Sequence, residues 1–165
     1  MFPAEIAALA HALLDEGRKK GLHIATAESC TGGLIAAALT EIPGASDVMD
    51  RGFVVYSNAA KIELLGIPKD VIAKNGAVSE ATARAMAERS LVHSVAELAV
   101  SCTGIAGPAG GTPAKPVGLV HIAAARKGQN TIHHEYRFGD IGRSEVRMKS
   151  VEAALKLLLQ ATGKP

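Results

Sequence analysis

The chain has 165 residues, 48% of them hydrophobic, with no tryptophan and only 3% aromatic, so residues 1–165 are expected to form one domain with a core of Ala, Val, Ile and Leu. Its 18 basic and 16 acidic residues are mixed along the sequence and leave a net charge of +2, which excludes a broad electrostatic footprint for nucleic acid or an anionic membrane. Cys30 and Cys102, the only cysteines, exclude a four-thiolate zinc site and, with no signal-like segment at the start and no apolar run long enough to cross a bilayer, point to a reducing cytoplasm.

In chain order, Ile6, Leu9, Leu13 and Leu14 recur at helical spacing and predict an opening helix over Pro3 to Lys20. A strand over Leu22 to Ala25 and a helix over Leu34 to Ile42 follow. Between them, Thr26-Ala27-Glu28-Ser29-Cys30-Thr31-Gly32-Gly33 reads as a strand-to-helix turn able to hold a nucleophile. The amides of Thr31, Gly32 and Gly33 are expected to be unpaired at the helix start, where the helix dipole favours negative charge. A Ser29 hydroxyl beside such amides has two parts of an acyl-transfer site, an attacking oxygen and donors for the oxyanion. On position alone Ser29 also fits a helix cap, and Cys30 is its chemical rival. Glu28 reads as an anchor for backbone amides.

Pro43-Gly44-Ala45-Ser46 breaks the chain before a second strand, Gly52 to Tyr56, and a second helix, Asn58 to Leu65. With Asn58 as N-cap, Lys61 falls on the first turn. The helix dipole and burial both push a lysine pKa down there, toward a useful base. This favours a Ser–Lys arrangement with Tyr56 as a neighbouring polar group; the Gly-x-Ser-x-Gly elbow is absent. After a short segment from Lys69 to Lys74, Asn75-Gly76 predicts a turn. Ser79 then opens a helix to about Ser94, with Ala81, Ala85, Met86 and Leu91 as its packing face.

Ala96 to Ser101 reads as a buried strand leading into a glycine-rich loop, Thr103 to Gly111, that lacks a Walker ending. Val117 to Ala125 and Thr131 to Phe138 form an antiparallel hairpin around Gly128-Gln129-Asn130. His121, His133 and His134 read as strand or surface histidines, since adjacent strand residues face opposite ways. A last helix spans Arg143 to Ala161, and Lys115 and Arg143 are candidate cations for a phosphate. The expected fold is α/β: a three-layer α/β/α sandwich with a mixed, mostly parallel sheet of about five strands, and the loops after the first three strands converging on one site.

Four motifs, Thr26 to Gly33, Gly52 to Asn58 with Lys61, Gly76-Ala77-Val78-Ser79, and Thr103 to Pro108 with Lys115-Pro116-Val117-Gly118, together resemble the CinA C-terminal family over nearly the whole chain. The resemblance implies hydrolysis of nicotinamide mononucleotide to nicotinate mononucleotide and ammonia, without metal or cofactor, by a homo-oligomer with a sheet like that of anticodon-binding domains. It implies Ser29 as nucleophile, Lys61 as base and Tyr56 as hydrogen-bonding partner. Thr31, Gly32 and Gly33 would supply backbone donors, and Thr103 and Gly104 would border the nucleotide, while helix-start logic offers Arg143 to the phosphate. Ala109 and Cys102 depart from the family's usual residues, and longer relatives carry an added pyrophosphatase domain whose activity is not transferred. A nucleotide-binding module without chemistry and a competence-related interaction module are the alternative readings.

Overall fold

The structure, a computed structural model, describes residues 1–163. Helix α1 (Ala4–Lys20), strand β1 (Ile24–Glu28) and helix α2 (Leu34–Thr40) lead through a 3₁₀ turn (Ala45–Asp47) to strand β2 (Met49–Val54). Helices α3 (Asn58–Leu65), α4 (Lys69–Asn75) and α5 (Glu80–Val92) follow, then strands β3 (Leu98–Gly104), β4 (Leu119–Arg126) and β5 (Ile132–Arg137), and helix α6 (Arg143–Ala161). The strands form one sheet in the order β2-β1-β3-β4-β5. Strand β1 pairs parallel with both β2 and β3, whereas β3 with β4 and β4 with β5 are antiparallel. The sheet is mixed as expected, but the closing hairpin makes antiparallel pairings as numerous as parallel ones.

Helices α1, α2 and α6 cover one face of the sheet, and α5, with α3 and α4 beside it, covers the other. Strand alternation decides what each face receives. Ile24, Leu98, Val100, Cys102, Val120 and Ile122 pack toward α1, α2 and α6. Each aliphatic side chain buried there contributes about 1.5–3 kcal/mol, so this face is the main hydrophobic core. The opposite face carries Ala25, Ala27, Ala99, Ala123 and Ala125, small enough to bring α5 close. Its polar members are satisfied locally: Ser101 Oγ donates to Ala83 O and Thr103 Oγ1 to Ala77 O.

The elements differ from the sequence expectation mainly at their ends. Strand β1 runs on to Glu28, three residues past Ala25, because that carboxylate finds backbone donors inside the fold. Strand β2 begins at Met49 and stops at Val54, and its half-exposed edge position explains why Asp50 and Arg51 concealed it. Strand β3 continues through Thr103 and Gly104, where a loop was expected. A Cβ on Gly104 would lie 2.8 Å from Leu119 O and 2.7 Å from Val120 Cγ2, so glycine is needed for β4 to pair there. The buried face of α5 is Thr82, Ala83, Met86, Ala87 and Ser90, one position round from the expected stripe except at Met86.

Candidate active site

Strand β1 delivers Ser29 to the point where the chain path reverses across the sheet, between β2 and β3. Ser29 N–H donates to Cys102 O (2.9 Å) and Val55 N–H to Glu28 O (2.8 Å), so both neighbouring strands hold the residue pair Glu28-Ser29. Alternation then separates three adjacent side chains. Glu28 and Cys30 turn toward α2 and the main core, and Ser29 turns toward α3.

Lys61 reaches Ser29 from α3. The N-cap of that helix is Ser57, whose Oγ accepts from Ala60 N–H (3.0 Å), rather than the expected Asn58, and Lys61 is the fourth helical residue. Side chains on a helix lean toward its N-terminus. Lys61 therefore folds back on the chain before its own helix, with Nζ 2.9 Å from Val55 O, 3.2 Å from Tyr56 O and 3.1 Å from Ser29 Oγ. The side chain is 1% exposed. Burial pushes its pKa below the ordinary lysine value, with the nearby Cys30 side chain opposing. A neutral amine has two N–H bonds and one lone pair. Nζ donates to all three oxygens; when the amine is neutral, Val55 O and Tyr56 O take its two N–H bonds and the lone pair is left for the Ser29 hydroxyl proton.

The turn after Ser29 differs from the expected row of free amides. Gly33 N–H and Ile35 N–H donate to Glu28 Oε2 (both 3.0 Å) and Ala36 N–H to Glu28 Oε1 (2.9 Å), so Glu28 caps α2 from inside the fold. Gly32 N–H donates to Ser29 O (3.0 Å), closing a turn over residues 29–32. Gly32 (φ +58°) and Gly33 (φ +97°) carry the chain into the helix through backbone that side chains disfavour. Thr31 N–H is left without an acceptor among the described residues. Ser29 is not the cap of α2; Gly33 holds that position. Replacing Glu28 by Gln offers one acceptor oxygen where three donors converge, and is expected to destabilise the fold by about 2–3 kcal/mol, read as a lower urea midpoint at unchanged slope.

Cys30 has a different setting from Ser29. Its Sγ lies 3.7 Å from Cys102 Sγ, both side chains are buried, and the two pack among the aliphatic residues of the main core. Contact with Cys30 and burial hold the Cys102 thiol well above its usual range. No base is hydrogen-bonded to either sulfur among the described residues.

The Tyr56 hydroxyl bonds neither Ser29 nor Lys61. The residue is 59% exposed and its phenol oxygen accepts from Arg143 Nη2 (3.1 Å), while its backbone carbonyl is what meets Lys61. Arg143, the first residue of α6, also donates from Nη1 to Gly107 O (3.0 Å), joining the loop after β3 to the loop after β2. Thr103 is buried at the end of β3, one residue past the Cys102 carbonyl that holds Ser29. Lys115 Nζ donates to Asn75 O (2.8 Å), which ties the segment after the glycine-rich loop to the turn before α5. The sequence reading missed Arg147, whose guanidinium donates to Cys30 O and Thr31 O. The available signal was its position four residues after Arg143, on the same face of a predicted helix.

His121 and His133 meet on the α5 side of the sheet, Nδ1 to Nε2 2.9 Å apart, with Glu135 and Glu80 beyond them. His134 points the other way, against Tyr136. Among the described residues no three His, Cys, Asp or Glu side chains converge as a metal-ligand set, and no helix is long and apolar enough to cross a membrane. Cavities of about 590 Å³ between α2 and β2 and about 580 Å³ beside His121 are lined by neither Ser29 nor Lys61.

Residues 6–162 match the CinA C-terminal domain. A putative competence-damage inducible protein of Caldicellulosiruptor bescii is 52% identical over 141 residues, 85% of this chain and 34% of that protein. A CinA-like protein of Anaeromyxobacter dehalogenans is 51% identical over 140 residues, 84% of this chain and 34% of its own length. The chain thus spans about a third of the curated relatives it matches. Among crystal structures, the competence/damage inducible protein CihA of Agrobacterium tumefaciens superposes with a TM-score of 0.96 at 51% identity, covering 99% of both chains. A CinA superfamily protein of Escherichia coli gives 0.90 at 31% identity, covering 98% of this chain and 93% of that one.

Proposed function

Because the chain belongs to the CinA C-terminal domain family, we propose that it is a serine amidase converting nicotinamide mononucleotide to nicotinate mononucleotide and ammonia. The observation that carries this reading is the buried Lys61 amine 3.1 Å from Ser29 Oγ, with two backbone carbonyls accounting for its N–H bonds. Ser29 Oγ attacks the carboxamide carbon as its proton passes to the Lys61 lone pair. The C–N bond breaks with the proton on Lys61 going to the leaving nitrogen, so ammonia departs neutral and leaves an acyl-Ser29 ester. Water, deprotonated by the same amine, hydrolyses that ester to the acid and restores the serine. Arg143, exposed at the start of α6 and shared between Gly107 O and Tyr56, is the cation offered to the phosphate.

The test is ammonia release from nicotinamide mononucleotide by the purified chain, with the acid product identified by chromatography. Release of both products in equal amounts is the expected result. Tight binding of the nucleotide with no ammonia would overturn the amidase in favour of a binding module. Neither binding nor release would turn attention to a different amide or to an interaction role of the kind the relatives' competence-related names suggest. The cytoplasm and a homo-oligomeric state belong to the same proposal.

A further inference from the structure

Beside the reacting serine, Cys30 and Cys102 bring their sulfurs to 3.7 Å, and they are the only two thiols of the chain. Sulfurs already in contact have little distance to close, since a disulfide bond is about 2.05 Å long. The two residues are not held alike. Cys102 sits in β3, the middle strand of the sheet, in register with Glu28 of β1 on one side and Ile122 of β4 on the other. Cys30 lies past the end of β1, in the turn over residues 29–32, and is 5% exposed where Cys102 is fully buried. Cys30 is therefore the sulfur that a small oxidant meets first, and the one that moves when the pair closes.

Acidity runs in the same order. The Cys102 thiol, its own backbone amide and the nearby Arg147 guanidinium hold the Cys30 thiol below its ordinary value in spite of burial, whereas Cys102 is held above its own. The thiolate is the nucleophile in such chemistry, so Cys30 attacks and Cys102 resolves.

Ser29 stands inside the ring that this bond would close. It is joined to Cys30 by the chain, and its N–H donates to Cys102 O (2.9 Å). Drawing Cys30 toward β3 shifts the peptide that follows Ser29, and with it the hydroxyl. Lys61 Nζ does not follow, because Val55 O and Tyr56 O hold it from outside the ring.

We propose that Cys30 and Cys102 are an oxidation site, a dithiol that a small peroxide closes to a disulfide, and that closure separates Ser29 from Lys61. The Cys30 sulfur attacks one peroxide oxygen; the O–O bond breaks, and the departing hydroxide becomes water with the proton that Cys30 released, leaving a sulfenic acid. The Cys102 sulfur then attacks that sulfur. The S–S bond forms, the S–O bond breaks, and the second hydroxide leaves as water with the Cys102 proton. The two thiols lose two electrons and the peroxide gains them. The oxidation site stands apart from the serine-amidase reading, and only its effect on turnover rests on that reading.

The experiment treats the purified chain with hydrogen peroxide, unfolds it, and counts free thiols with a maleimide by intact mass. The untreated chain takes up two labels. The treated chain is expected to take up none, to keep the mass of one chain less two hydrogens, and to regain both labels after dithiothreitol. Ammonia release, and labelling of Ser29 by a fluorophosphonate, are expected to slow at least about tenfold on oxidation and to recover with dithiothreitol, since a misplacement on the order of 1 Å can cost about 10²-fold. In Cys102→Ser, which lacks the resolving thiol, peroxide is expected to leave a Cys30 sulfenic acid that dimedone captures.

Two labels surviving peroxide, or oxygen added to sulfur with no disulfide, would overturn the site. A disulfide that leaves the rates at Ser29 unchanged would overturn the displacement. Should Cys102→Ser fail to fold, the thiol count on wild type decides without it. If the reduced wild type neither releases ammonia nor takes up the fluorophosphonate, the amidase reading and the displacement fall together, while the thiol count still judges the oxidation site.

Discussion

Ser29→Ala is expected to slow ammonia release from nicotinamide mononucleotide by at least about 10⁴-fold, whereas Cys30→Ala stays within about threefold of wild type. The contrast follows from one step of chain alternation. Ser29 faces the buried amine of α3, and Cys30 faces Cys102 and the aliphatic core. Removing the hydroxyl deletes the atom that forms the acyl bond, and among the described residues no neighbour is hydrogen-bonded to Lys61 Nζ to replace it except the two backbone carbonyls. Both variants change a small buried side chain, so circular dichroism melts close to wild type are expected beside the assay. Most activity surviving in Ser29→Ala would sink the assignment, and a large loss in Cys30→Ala alone would move the nucleophile by one residue.

Lys61→Met should cost about 10²–10⁴-fold in kcat, the range for loss of a positioned base, and should also change how stability varies with pH. In wild type, activity rises with pH as the amine loses its proton, with a midpoint below the ordinary lysine value of 10.5 because burial disfavours the charged form. The same shift sets the sign for folding. The unfolded chain binds a proton on this lysine at pH values where the folded chain does not, so wild-type stability decreases as pH falls from about 10.5 toward the folded pKa. The slope is at most about 1.4 kcal/mol per pH unit and levels off below the folded pKa. Lys61→Met lacks this dependence, so urea unfolding between pH 7 and 10 should show wild type losing stability relative to the variant as pH falls. Parallel curves would mean that Lys61 stays charged in the folded protein.

Elements with strong periodicity or clear punctuation were legible in the sequence: α1, α3 between Ser57 and Gly66, and α6 over its full length. The Ser29 and Lys61 pair was legible as well, because a strand running into a helix start limits where each side chain can go. Strand ends were not. The sequence reading takes Glu28 as an anchor for backbone amides, which the Gly33, Ile35 and Ala36 amides bear out, but ends the strand at Ala25, since only those three bonds make a buried carboxylate tolerable at the end of β1. Those same bonds remove Gly33 from the expected set of oxyanion donors. Tyr56 illustrates another limit: its residue type suggested chemistry by the phenol, but the contact with Lys61 is made by its carbonyl, which any residue would supply. Arg147 crosses 117 residues of chain to reach Cys30, and pairing at that separation leaves no local pattern.

The Gly104-to-Leu119 crossing joins β3 to β4 through a long segment that closes on itself, with Ile105 N–H to Leu119 O and Gly118 N–H to Ile105 O at its base. None of its residues from Ile105 to Gly118 hydrogen-bonds Ser29 or Lys61, and its tie to the site is the Gly107 carbonyl on Arg143. The segment is therefore anchored at its own base and at Arg143, while Ser29 and Lys61 are held by β1, β2 and α3, so the pair and the segment are positioned by separate sets of bonds.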